Sequence, residues 1–128
     1  MSQSIFPVLR YRDARGAIAF LHDVLGFEPT AVHPPEGQDV AHAELAFGGQ
    51  HLMLGSQPAE GDTDRLQGPL APYLAVDDVD GHFERARAAG ADVVYPPRAT
   101  DYGSREYAVR DPEGQVWSVG NYRPAAAD

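Results

Sequence analysis

Residues Ser104–Tyr122, SREYAVRDPEGQVWSVGNY, decide how this chain folds. Arg105–Arg110 and Gln115–Tyr122 are rich in Tyr, Val and Trp, which suit strands, and Asp111-Pro112-Glu113-Gly114 reads as the turn between them. Pro112 already has the φ of a turn's second position, and Gly114 takes a positive φ without a Cβ clash. An echo of this hairpin lies 65 residues earlier: Gly49-Gln50-His51-Leu52-Met53-Leu54-Gly55 aligns with Gly114-Gln115-Val116-Trp117-Ser118-Val119-Gly120. The same shift carries Asp13 onto Asp78, so the repeat reaches beyond the hairpins. The chain is one module written twice.

Working outward, the modules cover about residues 4–56 and 70–122 of a 128-residue chain, the length of a single globular domain. Each half alone is near the lower limit for a stable core, so the halves need each other or a second copy. Apolar content of 43% is ordinary for a soluble protein. No basic segment leads into an apolar run, and no apolar stretch approaches the ~20 residues of a membrane span, so a cytoplasmic protein without membrane contact is expected. The absence of Cys removes disulfides, thiolate nucleophiles and Cys–zinc sites. A net charge of −9 argues against nucleic acid, whose phosphates call for Lys and Arg. It suits simple solubility, and it would favour a cationic ligand.

In order, Ser4–Tyr11 reads as a strand, Asp13 as a helix cap, and Ala14–Leu25 as a helix with Ile18, Leu21 and Leu25 at helical spacing, closed by Gly26. Phe27–His33 is a strand and Pro34-Pro35-Glu36-Gly37 a loop. Val40–Phe47 alternates, with Ala43, Leu45 and Phe47 on one face and His42, Glu44 and Ala46 on the other. Gly48-Gly49 turns the chain into Gln50–Gly55, and Ser56–Pro69 is the linker. The second half repeats this: a strand at Ala71–Val76, a cap at Asp78, a helix over Val79–Ala89, a strand at Asp92–Pro96, a loop, then the hairpin. Pro124–Asp128 reads as a frayed tail. The order is βαβββ twice, an α+β pattern.

The Asp–helix–Gly unit, the DPEG hairpin and the duplication resemble the vicinal oxygen chelate superfamily. Its members include glyoxalase I, extradiol dioxygenases, and fosfomycin- and bleomycin-resistance proteins. The similarity runs from about Ile5 to Tyr122, and the segment DYGSREYAVRDPEGQVWSVGNY is most similar to the bleomycin-resistance and glyoxalase-like branch. The resemblance implies that each module curls its sheet and that paired modules enclose a cavity, within one chain or across a homodimer. It also implies four metal-ligand positions, one on the first and one on the last strand of each module. Here these are Phe6, Met53, Ala71 and Ser118. Phe and Ala have no donor atom, Met suits soft ions, and a neutral Ser hydroxyl is a weak ligand. The expectation is therefore no metal at these positions and no other cofactor.

In the family the ligand positions face the cavity, so strand alternation carries Phe6, Val8 and Arg10, His51 and Met53, Ala71, Tyr73 and Ala75, and Val116 and Ser118 to that side. His42 and Glu44 lie opposite the apolar face of their strand. Phe6, Val8, Met53 and Tyr73 then supply an apolar or aromatic body, and Arg10, His42, Glu44, His51 and Ser118 supply polar anchors, a mixture that suits a small-molecule site. The loop at Tyr102-Gly103 reads as a lid, which adds Tyr102. Parity assigns Trp117 to the helix side as core, while His33 and His82 read as surface residues.

Three functions fit. The first is a metal-free protein of the bleomycin-resistance type that sequesters a small molecule, an antibiotic among the candidates. The second is a glyoxalase-like lyase or dioxygenase-type metalloenzyme with a site relocated to His42, Glu44 and His51. The third is a metal-independent enzyme using one of those residues as a general base. Loss of all four ligand positions together, with the lining retained, favours the first.

Overall fold

The computed structural model describes Gln3 and residues 6–57, 72–101 and 103–123, which form two compact units, Met1–Leu70 and Ala71–Asp128. The N-terminal unit runs β1 (Val8–Tyr11), α1 (Ala14–Phe20), β2 (Glu28–His33), β3 (His42–Phe47) and β4 (Gln50–Ser56). The C-terminal unit runs β5 (Tyr73–Ala75), α2 (Val79–Ala88), β6 (Asp92–Ala99), β7 (Arg105–Arg110) and β8 (Val116–Gly120). Each is a βαβββ unit, and the fold is α+β.

The two sheets have the same topology, β1-β4-β3-β2 and β5-β8-β7-β6. In each, the first strand pairs in parallel with the last and the other pairs are antiparallel. Met53 lies beside Val8 and Ser118 beside Tyr73, equivalent rungs of the two ladders.

Each helix starts on the same device. The Asp13 and Asp78 carboxylates accept hydrogen bonds from the Gly16 and Gly81 amides, both at 3.0 Å. Those glycines are demanded by space, because a Cβ at either would collide with the capping carboxylate. α1 continues as a π-helical turn over Leu21–Leu25, closed by Gly26 at φ 88°, so the helical segment expected over residues 14–25 is present in two parts.

α1 packs on β1 and β4, burying Leu9, Tyr11, Ala17, Leu21, Leu52 and Leu54, while Ala43 and Leu45 continue the same face. The Arg15 guanidinium donates to the carbonyls of Pro34 (2.8 Å) and Gly37 (2.6 Å), holding the β2–β3 loop. In the other unit α2 packs on β6 and β7, and Val79, Ala86, Tyr107, Val109, Trp117 and Val119 are buried. The Arg105 guanidinium donates to the Asp80 carboxylate from 2.9 Å, tying β7 to the first turn of α2 and holding the Asp80 pKa below its ordinary value.

The hairpin at Asp111–Gly114 is stapled by one buried carboxylate. Asp111 is 5% exposed; its Oδ1 accepts from the Glu113 and Gln115 amides at 3.0 and 2.9 Å, and its Oδ2 from Trp117 Nε1 at 3.3 Å. Gly114 takes φ 88°, as the turn requires.

Several boundaries differ from the sequence expectations. β1 begins at Val8, and Phe6 and Pro7 precede it, although Pro7 still accepts from the Met53 amide at 2.9 Å. β6 runs on through Pro96 and Pro97 to Ala99, where the sequence suggests a loop; it is an edge strand, and the register shift between Tyr95 and Arg98 leaves both prolines out of the ladder with β7. His82 is half-buried and hydrogen-bonded to the Tyr107 hydroxyl, so it is not a surface residue. Burial pushes the Tyr107 phenol well above its ordinary pKa. Ala71, Tyr102, most of the linker and the C-terminal tail lie outside the described residues.

Candidate functional site

In each sheet one face is sealed by its helix, and the other carries the residues selected from the sequence. On the N-terminal sheet, cross-strand register brings Val8 and Arg10 of β1, His51, Met53 and Gly55 of β4, and Glu44 and Ala46 of β3 onto this open face. His42 joins them two residues before Glu44. All but Val8 and Gly55 are half-buried; Val8 is 47% exposed and Phe6, just ahead of β1, 40%.

His42 Nε2 lies 2.8 Å from Glu44 Oε2, the contact expected of an i, i+2 pair on one strand face. This hydrogen bond holds the Glu44 carboxyl below its ordinary pKa, partial burial opposing it. His51 sits on the adjoining strand, and its backbone is clamped on both sides by the Gln3 side chain, which accepts from the His51 amide and donates to its carbonyl at 2.8 Å. Nothing in the sequence pattern marks Gln3 for this. Arg10 crosses its neighbouring strand: a Cβ at Gly55 would sit 2.7 Å from Arg10 Nη1, so glycine there clears the path of the guanidinium.

On the C-terminal sheet the row Tyr73–Ser118–Ala108–Tyr95 runs across all four strands, with Gly120, Glu106 and Arg98 in the next row. Tyr73 is 41% exposed; its hydroxyl passes over Gly120, where a Cβ would lie 2.6 Å away, and accepts from the Tyr122 amide at 2.8 Å. The Tyr95 hydroxyl donates to Glu106 at 2.9 Å, and burial first, then Glu106, raises the phenol's pKa. The Arg98 guanidinium, and after it the Ser118 hydroxyl, opposes that rise. The Arg98 guanidinium lies 3.5 Å from the Tyr95 ring centroid. Trp117 faces the core, 3% exposed.

Sequence alternation therefore finds Tyr73 and Ser118 and misses Tyr95, Arg98 and Glu106. β6 carries register shifts on both sides of Tyr95, and each re-aims the side chains beyond it. The signal was the Tyr95-Pro96-Pro97-Arg98 run, since paired prolines in a strand mark an edge and a bulge.

The donor set does not fit a divalent metal at the family's ligand positions. Phe6 has no donor atom and stands exposed, and Met53 and Ser118 offer a thioether and a neutral hydroxyl. Among the described residues no three His, Asp or Glu side chains come close enough to hold a metal, so His42, Glu44 and His51 do not form a three-donor group. No helix of the described residues is long and apolar enough to cross a membrane. A shallow cleft near α1, between His22 and Glu28, is open to solvent, and His22 there pairs with Asp23.

Comparison with known proteins agrees with this architecture. An uncharacterized protein of Mycobacterium bovis is 35% identical over 126 residues, covering 91% of this chain and 82% of the relative. The crystal structure of TioX from Micromonospora sp. ML1 superposes with a TM-score of 0.77 at 34% identity, covering 94% of this chain and all of that one. A lactoylglutathione lyase from Agrobacterium tumefaciens superposes with a TM-score of 0.70 at 25% identity, covering 94% of each chain. A sequence profile of the same group matches residues 5–119, and the chain belongs to the glyoxalase/bleomycin resistance protein/dioxygenase superfamily.

Proposed function

We propose that this protein binds a planar or amphipathic small organic molecule, an antibiotic among the candidates, and releases it unchanged, with no metal taking part. The observation that carries this reading is the composition of the open sheet faces. In the N-terminal unit Phe6 and Val8 stay 40% and 47% exposed, with His42, Glu44 and His51 half-buried on the same open face; in the C-terminal unit Tyr73 stays 41% exposed beside half-buried Ser118. Exposed apolar side chains grouped around a few oriented polar ones are the usual makings of a ligand site. Arg10, Met53 and Tyr102 complete the proposed ligand residues.

The reading extends to assembly and place: a homodimer with an interface above ~1,000 Å² of total buried area, working in the cytoplasm. Light scattering on the purified chain tests the first part. For binding, the purified protein is screened against a compound panel with metal content measured on the same sample. A bound compound recovered intact from protein without stoichiometric metal supports sequestration.

A second reading rests on the His42–Glu44 contact at 2.8 Å, since a histidine oriented by a carboxylate is a competent general base. Turnover that survives chelation and disappears in His42→Ala would favour that metal-independent enzyme. The likeness to a lactoylglutathione lyase keeps a lyase among the activities to assay.

A further inference from the structure

On the open face of the C-terminal unit, β6 places Tyr95 and Arg98 three residues apart yet on one side of the sheet. Regular alternation would put them on opposite faces. The register shift between them pairs Tyr95 with Ala108 and Arg98 with Glu106, two residues apart on β7 and therefore on a common face. The Arg98 guanidinium rests against the Tyr95 ring, 3.5 Å from its centroid. Glu106, its cross-strand neighbour, instead accepts the Tyr95 hydroxyl proton at 2.9 Å.

Arg98 is therefore unlike other arginines of its unit. Arg87, Arg105, Arg110 and Arg123 each meet a carboxylate, from Glu84, Asp80, Asp92 and Asp77. Among the described residues Arg98 has an aromatic ring as its partner and no carboxylate within 4.0 Å. In a chain with net charge −9, acids are plentiful, so a guanidinium kept from every described carboxylate and stacked in place is a feature to explain. Stacking orients the planar cation and leaves its fork of N–H donors, which matches the two oxygens of a carboxylate.

We propose that Arg98, held over Tyr95, anchors the carboxylate of an aromatic small molecule whose ring system extends toward Tyr73. The inference rests on the small-molecule reading above and names the class of ligand. Tyr95 and Tyr73 stand on opposite edge strands of one row, with only Ala108 and Ser118 between them, and Gly120 in the next row. Three strand spacings, about 14 Å, separate the edge backbones, and the Tyr73 hydroxyl over Gly120 and the Tyr95 hydroxyl at Glu106 both lean inward from them, so a ligand of two linked rings is long enough to reach from the cation to the exposed tyrosine. The surplus negative charge opposes an anion at long range, but that field is screened beyond about 8 Å at physiological salt, and the contact with Arg98 is local.

The test titrates biphenyl-4-carboxylate and its neutral isostere biphenyl-4-carboxamide, following the Arg98 side-chain Nε–H resonance and the dissociation constant. The carboxylate is expected to bind about tenfold tighter than the amide, as one charge-assisted pair allows, and to shift the Arg98 resonance. Arg98→Gln should abolish the preference and Arg98→Lys, which keeps the charge without the planar fork, should restore part of it. Arg123→Gln, at a surface ion pair, should leave both affinities unchanged. Equal binding of acid and amide, a preference that survives Arg98→Gln, or no binding of either overturns the anchor. If the compound panel still yields another binder, the small-molecule reading stands without it; if no compound binds at all, that reading fails as well.

Discussion

Replacing Asp111 by Ala should cost more stability than any other single side-chain truncation in the β7–β8 turn. Its carboxylate satisfies two turn amides, Glu113 and Gln115, and the indole N–H of Trp117, which is 3% exposed. Water can reach the half-buried turn amides, so those bonds are worth about 0.5–1.5 kcal/mol each. It cannot easily reach the indole, and stranding a buried donor costs about 1–3 kcal/mol. Releasing a buried charge recovers part of this, leaving a net loss of about 2–4 kcal/mol. For a domain of this size the loss corresponds to a fall in Tm of roughly 8–16 °C. Trp117 is the chain's one tryptophan, so urea unfolding followed by its fluorescence reads the site directly. Asp111→Asn keeps its one oxygen as acceptor for the amides but turns an NH2 toward the indole N–H, and should fall between wild type and Asp111→Ala. A double-mutant cycle with Trp117→Phe, followed by circular dichroism, should return a coupling of about 1–3 kcal/mol. A loss below about 0.5 kcal/mol, the range of an ordinary surface substitution, would refute the staple.

Gly120→Ala should destabilise by about 1–3 kcal/mol and weaken ligand binding, because the new Cβ would sit 2.6 Å from the Tyr73 hydroxyl and 2.9 Å from the Arg105 carbonyl; unchanged affinity would detach Tyr73 from the site. Gly16→Ala should cost about 0.5–2 kcal/mol by expelling the Asp13 cap, measured as a lower urea midpoint. Glu44 should titrate below its ordinary 4.5 by carbon NMR and move back up in His42→Ala. Its folded pKa is depressed, so the stability it contributes is present above 4.5 and is lost as pH falls through the folded value. Tyr95 should ionise above its ordinary 10.0 in an ultraviolet titration, and Glu106→Gln should remove part of that rise, burial keeping the rest.

The repeat offset carried most of the fold. Asp13 and Asp78 cap equivalent helices, and Met53 and Ser118 lie beside the first strands of their units at equivalent rungs. Alternation also placed His42 with Glu44 and Trp117 in the core, because β3 and β8 pair with neighbours on both sides and their parity is fixed by the buried face. It failed on β6. An edge strand is paired on one side only and tolerates bulges, so Tyr95 and Arg98 face where regular alternation does not send them. The Gln3 clamp on His51 was equally illegible, being a single side chain bonding to backbone 48 residues away with no pattern to announce it.

Holding a small molecule on an open sheet face, without metal and without chemistry, is the proposed function. It is tested most directly by titrating a compound identified in the panel into chelator-treated protein, then recovering and weighing that compound by mass spectrometry. Tyr73→Ala is the companion variant, expected to lose about 0.5–1.5 kcal/mol of binding at any ionic strength through lost stacking. The account predicts full binding after chelation, recovery of an unaltered mass, and a weaker Tyr73→Ala complex. Binding that requires restored metal, or a recovered compound of altered mass, would contradict it.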